Sequence, residues 1–223
     1  MDNTLATLAA TYNTSLSKLM TTIAAESRNL SDLERHTLAR LDRQRKIYII
    51  SGLSGAGKST MGDILGNAGF QKIPNVTTRK KRPNETDVDY IFLDEPTFQS
   101  WNEQQRFALT KKTNGASHGF LQKHVDLLQQ PHEFYYIDKS VSSAIALSKL
   151  LPLQKCNFIF LLPPSFETLY QRVTTREQQE HSLSETDIFD RYKEEIDELA
   201  RSTTLPYAYI INDSLDRVQQ ILL

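Results

Sequence analysis

Nine consecutive residues carry the clearest chemistry in the chain: Gly52-Leu53-Ser54-Gly55-Ala56-Gly57-Lys58-Ser59-Thr60. They fit the pattern Gly, four residues, Gly, Lys, Ser/Thr, in which glycines let backbone N–H groups turn inward around a polyphosphate. Lys58 can neutralise the β- and γ-phosphates, and the Ser59 hydroxyl can ligate Mg2+. The surroundings agree. KIYIIS ahead of the motif is an apolar strand and STMGDILGNAG behind it is helical, so the phosphates would meet the positive end of a helix dipole. These residues point to binding of ATP or GTP, and phosphoryl transfer is the reaction they suit.

A second cluster follows. In Thr77-Thr78-Arg79-Lys80-Lys81-Arg82-Pro83-Asn84-Glu85-Thr86-Asp87-Val88-Asp89-Tyr90, two arginines precede a tyrosine. Guanidinium forks hold a phosphate bidentately and a tyrosine hydroxyl adds a donor, so the stretch reads as a site for a phosphorylated acceptor; a basic surface loop is the alternative. Asp138 ends the apolar run Phe134-Tyr135-Tyr136-Ile137. That is the C-terminal edge of a buried strand, where ligands of open parallel sheets bind. Asp138 could serve Mg2+ or the acceptor there, or simply cap the next helix.

The elements that must position these groups alternate along the chain from residue 46. The apolar runs KIYII, HEFYYID, CNFIFLL and AYIIND read as strands buried on both faces. Residues 58–68, 141–151, 165–178 and 185–202 are patterned as helices, with a short closing helix from Leu215. Such alternation predicts an α/β fold with a mainly parallel sheet. DYIFLD and RFALTKK are more polar and lie near Gly115 and Gly119; they are expected to form a small separate sheet, a substrate-binding insert.

Residues 1–45 differ in kind, with no Gly or Pro. Leu5, Leu8, Tyr12, Leu16, Leu19 and Ile23 form one face of an amphipathic helix. After a break near Asn29, Ser31-Asp32-Leu33-Glu34 reads as a capping box opening a second helix. The pair is expected either to pack on the flank of the main domain or to join a second copy as a homodimer.

Composition narrows the partners. The formal charge of −1, from 26 Lys+Arg and 27 Asp+Glu, does not suit a surface built to follow a nucleic-acid backbone. The single Cys156 cannot form an internal disulfide, and no Cys/His cluster has zinc spacing. A reducing cytoplasm is the expected setting. No segment approaches the roughly 20 apolar residues of a membrane span, and no export signal is apparent at MDNTLATLAA.

Taken in order, the phosphate loop, the TTRxxRxxE…DY stretch, the strand ending in Asp138, FIFLLPPS and IINDSLD resemble the guanylate kinase family over residues 46–223. The resemblance implies a three-layer P-loop fold with a mainly parallel sheet and a nucleoside-monophosphate-binding insert at about 78–130. It also implies a helical lid at about 172–192, with residues 1–45 as an N-terminal helical extension. It implies that Arg79, Arg82 and Tyr90, with Glu85, hold the acceptor's phosphate, and that Arg172, Arg176 and Arg191 fold over the transferring group. Asn212 matches a residue at the adenine end of the ATP site.

The departures concern the base. Leu109 stands where the family has a glutamate, His118 where it has a tyrosine, Phe120 where it has a hydroxyl residue, and Asn75 where it has a serine. Asp138 is then the remaining acidic reader, unless a shifted alignment brings in Glu103. His118 and Phe120 either contact the acceptor or pack locally. The expected activity is transfer of the ATP γ-phosphoryl group, with Mg2+, to GMP or dGMP, reversibly, giving a nucleoside diphosphate and ADP. The alternatives are a kinase for a different or modified nucleotide or another phosphorylated acceptor, and a guanylate-kinase-like protein-interaction module.

Overall fold

The computed structural model describes residues 2–23, 29–82, 85–86, 88–113, 115–180 and 185–223; the side chains of 2–5, 176–180, 185–188, 190, 191 and 194 lie outside that description. The strands are β1 (Ile47–Gly52), β2 (Gln71–Lys72), β3 (Asn75–Thr77), β4 (Tyr90–Phe92), β5 (Phe107–Thr113), β6 (Ala116–Leu121), β7 (Tyr135–Asp138), β8 (Cys156–Leu162) and β9 (Ala208–Ile211). The helices are α1 (Asp2–Ile23), α2 (Leu30–Leu38), α3 (Lys58–Asn67), α4 (Glu95–Glu103), α5 (Gln122–Gln129), α6 (Val141–Ser148), α7 (Phe166–Glu180), α8 (Glu185–Arg201) and α9 (Leu215–Leu222).

The central sheet runs β2-β7-β1-β8-β9, with every pairing parallel. Its middle strands are the continuous apolar runs, and every residue of β8 is buried. Helices must therefore cover both faces, as a parallel sheet requires. β1 lies between β7 and β8. Consequently the loop after Gly52 and the end of β7 at Asp138 open at the same sheet edge, with Ile50 in register with Asp138.

The insert is a separate sheet of order β4-β3-β6-β5. Its register decides which side chains share a face. Asn75 and Thr77 pair with Tyr90 and Phe92, Thr77 with His118, His118 with Lys111, and Phe120 with Leu109. Residues opposite one another point to the same side, so these eight line one face. On the other face Val76, Phe98 and Leu121 form a small core, joined by Ile91, Leu93, Trp101 and Phe107. A register shift between Phe107 and Leu109 lets both faces be filled by large side chains.

The two N-terminal helices are packed on the main domain. Leu8, Tyr12, Leu16 and Leu19 are buried in the same core as the central sheet, and the Tyr12 ring lies 5.3 Å from that of Phe166. The face on which pairing with a second copy was expected is thus covered by the chain itself. α2 does something more specific. β9 is an edge strand, and its outward N–H groups need partners. Thr37 Oγ1 accepts from Tyr209 N at 3.0 Å and Glu34 Oε1 accepts from Ile211 N at 2.8 Å. The expected capping box at Ser31 and Glu34 is not what forms. The helix starts two residues earlier than that box would have it, with the Asn29 side chain accepting from Asp32 N at 3.0 Å. Glu34 is instead drawn to β9 and to Arg217, where its charge meets a stronger donor set.

Candidate active site

The phosphate loop connects β1 to α3 in the conformation its glycines permit. Gly55 has φ +81° and Gly57 φ +99°, left-handed values that disfavour any side chain. Gly57 is also pressed from outside: a Cβ there would fall 2.0 Å from Asn212 Nδ2. Asn212 follows β9, and its amide donates to Ala56 O at 2.8 Å. The ammonium of Lys58 lies across the loop, donating to Gly52 O at 2.7 Å and Leu53 O at 3.1 Å. Ser59 is exposed in the first turn of α3, beside the half-buried Thr60. Their N–H groups and hydroxyls sit where a polyphosphate would meet the helix N-terminus.

Two helices, α7 and α8, approach the loop from the segment where the lid was expected. Arg172 on α7 donates to Gly55 O at 3.3 Å. From α8, Glu195 accepts from Ser54 N at 2.5 Å and from the Ser54 hydroxyl at 2.6 Å. Tyr192, also on α8, donates to Ser54 O at 3.4 Å and to Leu169 O at 3.3 Å. The side chains of Arg176 on α7 and Arg191 on α8 lie outside the described residues, as do residues 181–184 of the expected lid. Glu195 escaped the sequence reading. Its only signal is a spacing of one helical turn from Arg191, which places both on one side of α8.

The second cluster is brought together by Glu85. Arg79 donates to both its oxygens, at 2.9 and 2.7 Å, the fork geometry expected of this pair. Arg82 N donates to Glu85 Oε2 at 2.9 Å, and the Arg82 guanidinium is 3.8 Å from Oε1. Burial alone would raise the Glu85 carboxyl, but the hydrogen bonds from Arg79 and Arg82 and the charges of both hold it below the usual range. The Arg79 guanidinium lies 5.2 Å from the Tyr90 ring centroid. Burial pushes the Tyr90 hydroxyl well up, and the nearby charge of Asp138 adds to it, so Tyr90 remains a neutral donor. Lys72 and Asp89 pair at 2.5 Å, and Asp89 also accepts from Thr86 N at 2.8 Å, which fixes the chain entering Tyr90.

Beyond Tyr90 the same face carries Asn75, whose amide donates to Asp138 O at 2.9 Å, and His118. Burial depresses the imidazole of His118, with help from Arg79, Lys111 and Lys139. Phe120 is 1% exposed, packed edge-on to His124 with ring centroids 5.5 Å apart, and Leu109 is its half-buried cross-strand neighbour. Phe120 thus belongs to the core. Glu103 ends α4, which packs on the opposite face of the insert, so it is not in this cluster. Lys139 lies among these residues although nothing in the sequence singled it out.

Chemically, the arrangement offers a polyphosphate cradle and an arginine-tyrosine cluster at one edge of the sheet. Lys139 N donates to Ile50 O at 2.9 Å, tying the end of β7 directly to the strand that launches the phosphate loop. Ser59 supplies a hard hydroxyl oxygen that suits Mg2+, a cation that keeps several waters and needs few protein ligands. Among the described residues, no group of three His, Cys, Asp or Glu side chains could hold a metal on its own.

The family model for guanylate kinase matches residues 44–222. The chain belongs to the guanylate kinase family. It is accordingly a kinase of the ATP-dependent nucleoside monophosphate class. Among curated guanylate kinases, that of Pseudomonas fluorescens is 34% identical over 170 residues, covering 75% of this chain and 79% of the relative. That of Chlamydia trachomatis is 28% identical over 181 residues, covering 79% and 84%. The crystal structure of guanylate kinase from Anaplasma phagocytophilum superposes with a TM-score of 0.58 at 19% identity, over 81% of this chain and 84% of that one, a likeness of fold. No helix among the described residues is long and apolar enough to cross a membrane.

Proposed function

We propose that the protein transfers the γ-phosphoryl group of ATP to GMP or dGMP, giving the nucleoside diphosphate and ADP in a reversible reaction. The observation that carries this reading is the Glu85-centred cluster of Arg79, Arg82 and Tyr90 at the sheet edge where the phosphate loop opens. In this reading the cluster holds the acceptor's phosphate. Lys58 leaves its carbonyl partners for the β- and γ-phosphates. Asn212 closes the adenine end of the ATP site, and Asp138, Asn75 and His118 face the acceptor's base.

Mg2+, held by the Ser59 hydroxyl and the nucleotide's own oxygens, would neutralise charge on the β- and γ-phosphates. The chain's own contribution is placement and positive charge. Arg172, together with Arg176 and Arg191 as the family pattern has them, meets the charge that spreads over the phosphoryl oxygens in the transition state. The attacking phosphate oxygen is already anionic, so no general base is required. Alignment of two charged substrates is the main barrier, and two separately built anion sites lower it.

A coupled assay of ADP release over the common nucleoside monophosphates tests the proposal. GMP or dGMP is expected to give the highest kcat/KM, and Lys58→Ala to abolish turnover while leaving the thermal midpoint nearly unchanged. No acceptor-dependent ADP with any monophosphate would end the nucleotide-kinase reading. A homodimer and a cytoplasmic setting remain parts of the same proposal; the first would need a surface other than the buried face of α1.

A further inference from the structure

Lys139 is 8% exposed, immediately follows Asp138, and lies on the acceptor side of the sheet edge. Its ammonium donates to Asn75 Oδ1 and sits 4.0 Å from the centroid of the Phe120 ring. Among the described residues no carboxylate comes within 4.0 Å of it. An ammonium has three N–H donors, and one amide oxygen and one ring face do not satisfy them. Burying a cation so lightly partnered is costly unless something else completes its shell. Burial accordingly lowers its pKa to about 7, against the raising effect of Asp138. His118 and Lys111 are the charged or titratable groups on this end of the face, His124 lies behind Phe120, and Arg79 acts on His118 from the far end.

An acceptor bound at this end of the face can supply the remaining lone pairs and displace any water that holds them. At the other end of the same face, Arg79, Arg82 and Tyr90 take the acceptor's phosphate, so the part that reaches Lys139 is its base. We propose that Lys139 is the specificity-determining donor of the acceptor site, giving a hydrogen bond to the 6-oxo oxygen of a purine monophosphate. The proposal rests on the nucleotide-kinase reading above. Asp138, one residue earlier, can accept from the adjacent N1–H. A donor beside an acceptor matches the C6=O/N1–H edge that guanine and hypoxanthine share. Adenine presents the reverse pattern, with a 6-amino donor next to an N1 lone pair, and would bury two mismatches.

Leu109 sharpens the consequence. It contributes only methyl groups to this face, opposite Phe120, so no carboxylate there accepts from guanine's 2-amino group. The acceptor class is therefore 6-oxopurine monophosphates, with GMP and IMP used comparably. Discrimination against AMP comes from Lys139 and Asp138.

The test uses the full chain with Mg-ATP and measures acceptor-dependent ADP release for GMP, IMP and AMP. The wild-type protein should turn over GMP and IMP with kcat/KM within about tenfold of each other, and AMP at least about a hundredfold less well, as a mismatched buried hydrogen-bonding edge requires. Lys139→Met should raise KM for GMP and IMP by about 10–100-fold and narrow the GMP-to-AMP ratio, the loss expected for a charge-assisted bond. Its KM for ATP should not move, which separates base reading from general damage. Should Lys139→Met fail to fold, Lys139→Gln, whose amide can donate to a 6-oxo oxygen or turn its carbonyl toward a 6-amino group, should raise KM for GMP and IMP and narrow the GMP-to-AMP ratio. GMP turnover with an unchanged KM and GMP-to-AMP ratio in either variant overturns the role of Lys139 while leaving the kinase reading intact. A wild-type GMP preference over IMP above about tenfold would show that another group reads the 2-amino group, and would overturn the 6-oxopurine breadth of the acceptor class while leaving Lys139 in place. Lack of turnover with every monophosphate removes the kinase reading itself.

Discussion

Replacing Glu34 by Ala is expected to be costly out of proportion to its distance from the catalytic loop in sequence. Its carboxylate is buried, with 4% of the side chain exposed, and accepts from Ile211 N at 2.8 Å while pairing with Arg217. Loss of a hydrogen bond to a buried charged group costs about 1.5–3 kcal/mol. The Arg217 arm is 36% exposed and, screened by water, adds about 0.2–1 kcal/mol. The sum is about 2–4 kcal/mol. For a chain of 223 residues each kcal/mol lowers the midpoint by about 2–4 °C, so Glu34→Ala should melt roughly 5–15 °C lower. The functional consequence follows from chain order. Ile211 precedes Asn212, whose amide holds Ala56 O and whose side chain backs Gly57. Loosening β9 should therefore raise the KM for ATP more than that for the acceptor. Differential scanning calorimetry and steady-state kinetics on the same preparation read both. A midpoint within 2 °C of wild type, with an unchanged KM for ATP, would refute the reasoning that α2 supports the nucleotide loop through the edge of the sheet.

Three further outcomes are expected. Gly57→Ala forces a left-handed residue to carry a Cβ that collides with Asn212, so calorimetric Mg-ATP binding should weaken at least about a hundredfold, the effect of about 3 kcal/mol of local strain; near-native affinity would show the loop to be more yielding than this geometry. Arg79→Lys loses the planar fork that Glu85 aligns, and should raise the acceptor's KM about 10–100-fold with little change for ATP; equal effects on both substrates would contradict two separate phosphate sites. His124 is buried with Nδ1 unpartnered among the described residues, and burial, aided by the charges of Lys123 and Lys139, lowers its pKa to about 4. The unfolded chain, with a His pKa near 6.5, then binds more protons between pH 4 and 6.5, so stability should fall as pH drops through that window and His124→Phe should fall less steeply; parallel melting curves for the two proteins would exclude this contribution.

Elements with strong local patterns were legible in the chain itself. The continuous apolar runs became β1, β7, β8 and β9 because a strand covered on both faces has no polar positions to blur its reading. The expected helices at 58–68, 141–151, 165–178, 185–202 and from Leu215 correspond to α3, α6, α7, α8 and α9 within a few residues. The insert was legible only as a pair of weak strands. Those two, DYIFLD and RFALTKK, are β4 and β5; β3, with three residues, carries too short a pattern, and its pairing with β4 and β6 rests on contacts that local sequence does not contain. The capping expectation at Ser31 and Glu34 failed for a related reason. A carboxylate that suits a local N–H also suits a distant one, and the edge of β9 offered Ile211 N together with Arg217.

What the sequence determined by itself is the chemistry that depends on adjacency. The glycines, Lys58 and Ser59 act through spacing along one turn and one helix start, and Arg79, Arg82 and Glu85 close on each other within seven residues. Only the tertiary structure decided what the groups that act across chain distance touch. Glu195 reaches Ser54 from 141 residues away, Asn212 reaches Ala56 from 156, and Glu34 reaches Ile211 from 177. Lys139 reaches Asn75 from 64. Each is an ordinary polar residue on an ordinary helix or strand end. Its role arises when folding removes water from around it, because a buried charge must take whichever partner the packed chain has brought within reach.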